Sequence, residues 1–310
     1  MRHTRKSSVL RSFRLAAKNF ADDDCWTLSA SLAFYTLFAL PPLLYLLTMV
    51  ISGGMYSLYE QADARARARD FLQSQASQLI GNRAAAAEVG SMLESVGQRP
   101  GVWWKSALSL IGVLVGATGL MSALQSSLNR VWKVKPDPRN GLALKFILKR
   151  LLSLTMILGF GFVLLVSFFI SSMLTIISEY AASKLGVQGI FPVLINHVTT
   201  FCTGLIFFAG VLKFMPDATL SAKKALFGGL VTVILFTLGR AVLFLYFQYG
   251  EPVGQLGSAA GSVAIILLWV YYSSVILLFG AEITVAYAKL DGETMPPELG
   301  AVQVKERVVS

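Results

Sequence analysis

GSAAGSVAIILLWVYYSSVILLFGAEITVAYAK, residues 257–289, is far too long and apolar for a helix of a soluble protein. An α-helix rises about 1.5 Å per residue and the hydrocarbon core of a bilayer is about 30 Å thick, so roughly 20 apolar residues cross it. The stretch therefore reads as a membrane span with some tilt. Gly257, Ser258, Gly261 and Ser262 at its start are small enough to let another helix approach to backbone contact. Near its end stands one acid, Glu282. At about 100° per residue Glu282, Tyr271, Ala264 and Gly257 fall near one stripe, so the carboxylate and the small residues share a face that should point into protein.

Composition agrees with a polytopic membrane protein. Of 310 residues, 55% are hydrophobic and 14% charged, and the mean hydropathy is +0.63. The net charge of +10 would raise nucleic acid as a partner of a soluble protein. In a membrane protein the excess of Lys and Arg is that of cytoplasmic loops, so no nucleic-acid partner is expected. Cys25 and Cys202 are the only cysteines and indicate neither a disulfide framework nor a metal site.

Residues 1–25 read as a basic cytoplasmic segment without a cleavable signal. Arg11, Arg14 and Lys18 occupy one helical face, and Leu10, Phe13, Ala17 and Phe20 another. Such a segment is either a helix lying on an anionic membrane surface or an ordinary tail. Asp22, Asp23 and Asp24 point in different directions if helical, which favours helix capping over metal binding. The membrane domain, 26–289, holds six expected spans, at about 28–51, 106–132, 146–177, 192–214, 225–249 and 257–289. Pro41 and Pro42 predict a kink in the first, which is either a transport feature or a packing bend. The polar excursion 52–103 carries helical stripes and balanced charge, which reads as a helical extracytoplasmic cap. Gly112 and Gly116 form a GxxxG pair in the second span, used within a bundle as often as in a homo-oligomer. The loop 133–145 and the stretch containing Lys213, Lys223 and Lys224 are basic, hence cytoplasmic, and residues 290–310 form a cytoplasmic tail.

Charges inside spans are expensive unless paired or wetted, so Arg240 and Glu282 are the first candidates for function. Arg240 lies about 25 Å deep in its helix at helical rise, whereas Glu282 is near the inner end of its own. Arg130 or Lys213 is the expected partner of Glu282, and Arg240 is left to His197, carbonyls or Glu251. His197 reads as an interface residue or a proton relay. No nucleophile elbow, HExxH motif, phosphate loop or metal-binding constellation is present, so neither an enzyme nor a cofactor is expected.

The stretches SASLAFYTLFALPPLLYLL in the first span, GLMSALQSSLNRVW ending the second, the surroundings of Leu238, Gly239 and Arg240, and GSVAIILLWVYYSSVILLFGAEITVAYA resemble the YihY/virulence factor BrkB family of bacterial inner-membrane proteins. The resemblance covers about Ala21 to Lys289. It implies an inner-membrane location and a part in envelope integrity, serum resistance or lipid traffic. It brings no catalytic residues, and the old ribonuclease label of the family finds no metal constellation here. The expectation is an all-α protein of six transmembrane helices with both termini cytoplasmic. It would act as a transporter or lipid-translocating protein in contact with membrane lipids, or as a non-transporting scaffold for envelope protein partners.

Overall fold

The computed structural model describes residues 2–55, 103–137, 190–249, 258–298 and 300–304, with single positions at 66, 70, 73 and 173. Six helices and two short strands run in the order α1 (Arg2–Asp22), α2 (Cys25–Met55), α3 (Trp103–Val131), β1 (Val134–Pro136), α4 (Ile190–Phe214), α5 (Ala222–Tyr249), α6 (Ser258–Leu290) and β2 (Ala301–Gln303). Helices α2 to α6 cover five of the expected spans. The remaining one, 146–177, and most of the cap, 52–103, lie outside the described residues. Among the described residues three segments are long and apolar enough to cross a membrane: His197–Phe214, Ala222–Leu243 and Val263–Leu290. Helix α2 adds the shorter apolar run Cys25–Leu40, and its helical path continues through Pro41 and Pro42.

The chain forms two compact units. In the first, made of 1–23, 125–235 and 277–310, every residue from Ala281 to Ala288 of α6 is buried. A helix end enclosed on all sides must be apolar or small all round, and AEITVAYA meets that demand except at Glu282. Part of the cover comes from α1. Phe13 and Phe20 set their rings edge-on to Phe279, with centroids 6.5 and 5.8 Å away, and Ala16 packs with Ile283 and Ala286. This corrects the apolar face expected for α1. Leu10 and Ala17 are exposed, and the inward stripe runs through Ser12, Ala16 and Phe20 because α6 offers Phe279 there. Arg11, Arg14 and Lys18 remain outward.

Two GxxxT segments clasp α5 to α6. A Cβ on Gly228 would lie 1.8 Å from Thr284 Oγ1, and one on Gly280 would lie 1.9 Å from Thr232 Oγ1. The pairing 228 with 284 and 232 with 280 makes the helices antiparallel. Each threonine hydroxyl donates to a carbonyl of its own helix, Thr232 to Gly228 O at 2.8 Å and Thr284 to Gly280 O at 2.7 Å. The hydroxyls are thus satisfied while only their small bodies face the neighbouring glycine. Helix α4 joins with similar closeness, since a Cβ on Gly229 would lie 2.7 Å from the Ala209 nitrogen.

The connections of this unit are sewn to the tail. Strands β1 and β2 pair antiparallel, with Val134 opposite Gln303 and Pro136 opposite Ala301, a sheet that the all-α expectation did not contain. Val304 N donates to Lys133 O at 2.8 Å and Thr219 N to Pro296 O at 2.9 Å. Ser221 N and Oγ each donate to the Glu293 carboxylate at 3.1 Å, and Lys224 pairs with Asp291.

The second unit comprises 24–124 and 236–276. Here α2 meets α3 where a Cβ on Gly116 would approach Ala39 Cα to 2.9 Å. Ala33 packs with Ile266 and Val270 of α6, flanked by Leu40, Trp269 and Tyr271. Tyr272 donates its hydroxyl to Phe236 O at 2.7 Å and stacks on the Phe236 ring. Phe34, Tyr35 and Phe38 face outward, as lipid-facing side chains do.

Gly228→Ala should destabilise the fold by about 1–3 kcal/mol, the usual cost of forcing extra volume into a packed contact. Thr284→Ala added to it should recover part of that loss. Thermal unfolding in detergent, followed by helical circular dichroism, checks both.

Candidate functional site

Glu282 is fully buried, at 0% exposure, and neither carboxylate oxygen has a hydrogen-bond partner. The polar side chains acting on it are Asn19 and Asp23 from the end of α1 and Lys133 from the turn after α3. Asp23 is itself buried, at 2% exposure, and Lys133 forms an ion pair with its Oδ1. A carboxyl held without a partner is costly, and an apolar side chain of similar size would fill the space at lower cost. Stability alone therefore does not explain Glu282.

Two backbone departures bring the neighbours in. Helix α1 ends at Asp22, and Asp24 takes a left-handed φ of 55°; between them Asp23 N still donates to Asn19 O at 2.7 Å. After α3, Lys133 also adopts a φ of 55°, the conformation that caps many helix C-termini and that glycine usually supplies. Its amide donates to Arg130 O at 3.1 Å. A left-handed lysine costs roughly 1–2 kcal/mol, and here it turns the ammonium toward Asp23.

The partner expected for Glu282 is therefore corrected. Arg130 sits in the last turn of α3 and is exposed, while Lys213 lies over the Phe214 ring. Lys133 reaches inward because it stands past the helix end, where the chain reverses. Asp23 was assigned to capping; Asp24 is the acid at the start of α2, accepting from Thr27 Oγ1 at 2.9 Å. The signal for Asp23 was present: Ser12, Ala16, Asn19 and Asp23 follow the i, i+4, i+7, i+11 spacing of the inward face of α1.

The other candidates lie apart from this cluster. Arg240 is half-buried on α5 and acts electrostatically on the Tyr272 hydroxyl. His197 is exposed on α4. Pro41 lies within α2, Gly112 and Gly116 lie in α3, and Gly261 is in the first turn of α6. Gly257 and Glu251 lie outside the described residues. Among the described residues no group of three or more His, Cys, Asp and Glu side chains is placed to hold a metal.

A latch lies on the loop between α4 and α5. Gln125 and Asn129, one turn apart on α3, donate to the two oxygens of Asp217 at 2.7 and 2.8 Å, and Asp217 N donates to Asn129 Oδ1 at 2.7 Å. Asp217 O accepts from Glu298 N at 3.0 Å. Partial burial and the Asp217 carboxylate raise the pKa of Glu298 above the usual carboxylate value. Ionised Glu298 thus opposes docking of the tail, and the opposition disappears as pH falls through its raised pKa. Asp217→Asn should loosen the tail, with roughly tenfold faster proteolysis around 291–304 for a loss of about 1.4 kcal/mol. Glu298→Gln should slow that cleavage at neutral pH.

The chain matches the virulence factor BrkB family over residues 16–300. Similar curated proteins are each named UPF0761 membrane protein. That of Alcanivorax borkumensis is 26% identical over 281 residues, covering 90% of this chain and 61% of that protein. One from Legionella pneumophila is 26% identical over 289 residues, covering 92% of this chain and 64% of that protein. One from Azotobacter vinelandii is 30% identical over 175 residues, covering 56% of this chain and 40% of that protein. The chain thus spans less than two thirds of the length of these relatives. No solved structure matches it. With a match that takes in the end of α1, Glu282 and the latch, the chain belongs to the virulence factor BrkB family of membrane proteins.

Proposed function

We propose that the protein is a six-span inner-membrane transporter or lipid-translocating protein that serves envelope homeostasis. The observation that carries this reading is Glu282, a fully buried carboxyl without a hydrogen-bond partner at the end of a helix apolar enough to cross a membrane. Ionisable groups in such segments are costly, and they recur on substrate and ion pathways. Arg240, also within an apolar segment, is the second charge on which the reading rests.

Support for the topology comes from the hydrogen bonds among connections. The turn after α3, the loop between α4 and α5 and the tail after α6 bond to one another, and the end of α1 pairs with Lys133. Segments joined in this way share one side of a membrane. Their load of Lys133, Lys135, Lys223 and Lys224 assigns that side to the cytoplasm under the positive-inside rule. Both termini are then cytoplasmic, and 52–103 is extracytoplasmic.

A second reading, a rigid scaffold for envelope proteins, is favoured by the glycine contacts, which lock helices at backbone distance. Complementation separates the two. In a deletion strain with an envelope defect, Glu282→Gln and Arg240→Ala should each fail to restore the wild-type phenotype at normal protein levels. Full rescue by both would remove the transport reading and leave the scaffold. Reporter fusions at residues 1, 219 and 310 should report one side of the membrane, and a fusion at 90 the other.

A further inference from the structure

We propose that Asp23 and Glu282, with Lys133 beside them, form a proton-binding site that holds one exchangeable proton between two carboxyls. The inference deepens the transport reading by naming an ion, and it rests on that reading only for the coupling of the proton to movement of a substrate.

The charges in this closed space do not balance without a proton. Glu282 is at 0% and Asp23 at 2% exposure, and both oxygens of Glu282 lack a hydrogen-bond partner. The cluster contains two carboxyls and one ammonium. Lys133 is engaged with Asp23, so an ionised Glu282 would leave one buried negative charge without compensation. One proton makes the cluster neutral.

Among the described residues the surroundings add no second cation. From α1 the facing groups are Asn19 and Asp23, and from the turn after α3 it is Lys133. Helix α5 contributes Lys224, but its ammonium lies 4.1 Å from the Tyr287 ring centroid and pairs with Asp291. Toward the neighbouring Ile283 and Ala286 that helix offers Phe227 and Val231, and toward Gly280 the back-bonded Thr232. Access is also defined. The side chain of Lys133 is 30% exposed while that of Asp23 is 3% exposed, so the ammonium stands between the acid pair and the surface. Movement of Lys133 away from Asp23 would open a path for a proton and at the same time raise the demand for one. Lys133 itself has a left-handed backbone, with φ of 55°, and strained residues often occur at sites that switch.

Infrared spectroscopy of the full chain in lipid bilayers tests the site. At neutral pH the wild type should show a protonated-carboxyl stretch that shifts in deuterium oxide. Glu282→Gln should abolish it, because Asp23 then balances Lys133. Asp23→Asn should also abolish it, because Glu282 then balances Lys133. Lys133→Gly, which suits the left-handed turn and removes the ammonium, should strengthen it. Absence of the band in the wild type, a measurement that needs no variant, overturns the proposal, and so does a band that survives either acid substitution. Proteoliposomes with an imposed pH gradient then test the coupling: a band with the expected variant behaviour but no proton flux supports the site and counts against the transport reading alone.

Discussion

Complete enclosure of residues Ala281 to Ala288 of α6 is the constraint from which the rest of the first unit follows. A helix end with no solvent-facing side needs neighbours all round it, and the chain supplies them from distant stretches of sequence. Helix α1 brings Phe13, Ala16 and Phe20, and α5 brings the glycine and threonine clasp. Small residues make the clasp possible. Each burial at Thr232 and Thr284 is tolerable because the hydroxyl bonds within its own helix, leaving no polar atom to the interface. Against that background one carboxyl without a partner is conspicuous, since every alternative at position 282 that is apolar and of similar volume would be easier to bury.

Much of this was legible in the sequence. Long apolar runs locate the helices to within a few residues, because hydrophobic length is a direct physical requirement for crossing a bilayer. Glu282 and Arg240 stand out for the same reason, as charges where water is scarce. Gln125 and Asn129 stand one turn apart on α3, but nothing local to them names Asp217 as what they grip.

Other features required the fold. The clasp is written as GxxxT rather than GxxxG, and its meaning depends on two helices being antiparallel and in register. Asp23 lies in a run of three acids whose directions diverge, and its place on the stripe of Ser12, Ala16 and Asn19 singles it out only once α1 is docked on α6. Lys133 follows a span end, where a change of one residue in the stop would send the side chain elsewhere; its left-handed φ carries no sequence signal, glycine being the usual occupant. The strands β1 and β2 pair residues about 170 positions apart, beyond any local pattern.

The order of synthesis gives that pairing a further meaning. Strand β1 and the loop between α4 and α5 leave the ribosome long before β2 and the residues around Pro296 that bond to them. Helix α1 is made before the other described elements, yet Ala16 meets Ile283 and Ala286 only once α6 has been made. The first unit therefore closes last, from both ends of the described chain at once. Until then the surfaces that α6 and β2 cover stay open, which makes the synthesis of α6 and the residues up to Gln303 the step that closes this unit.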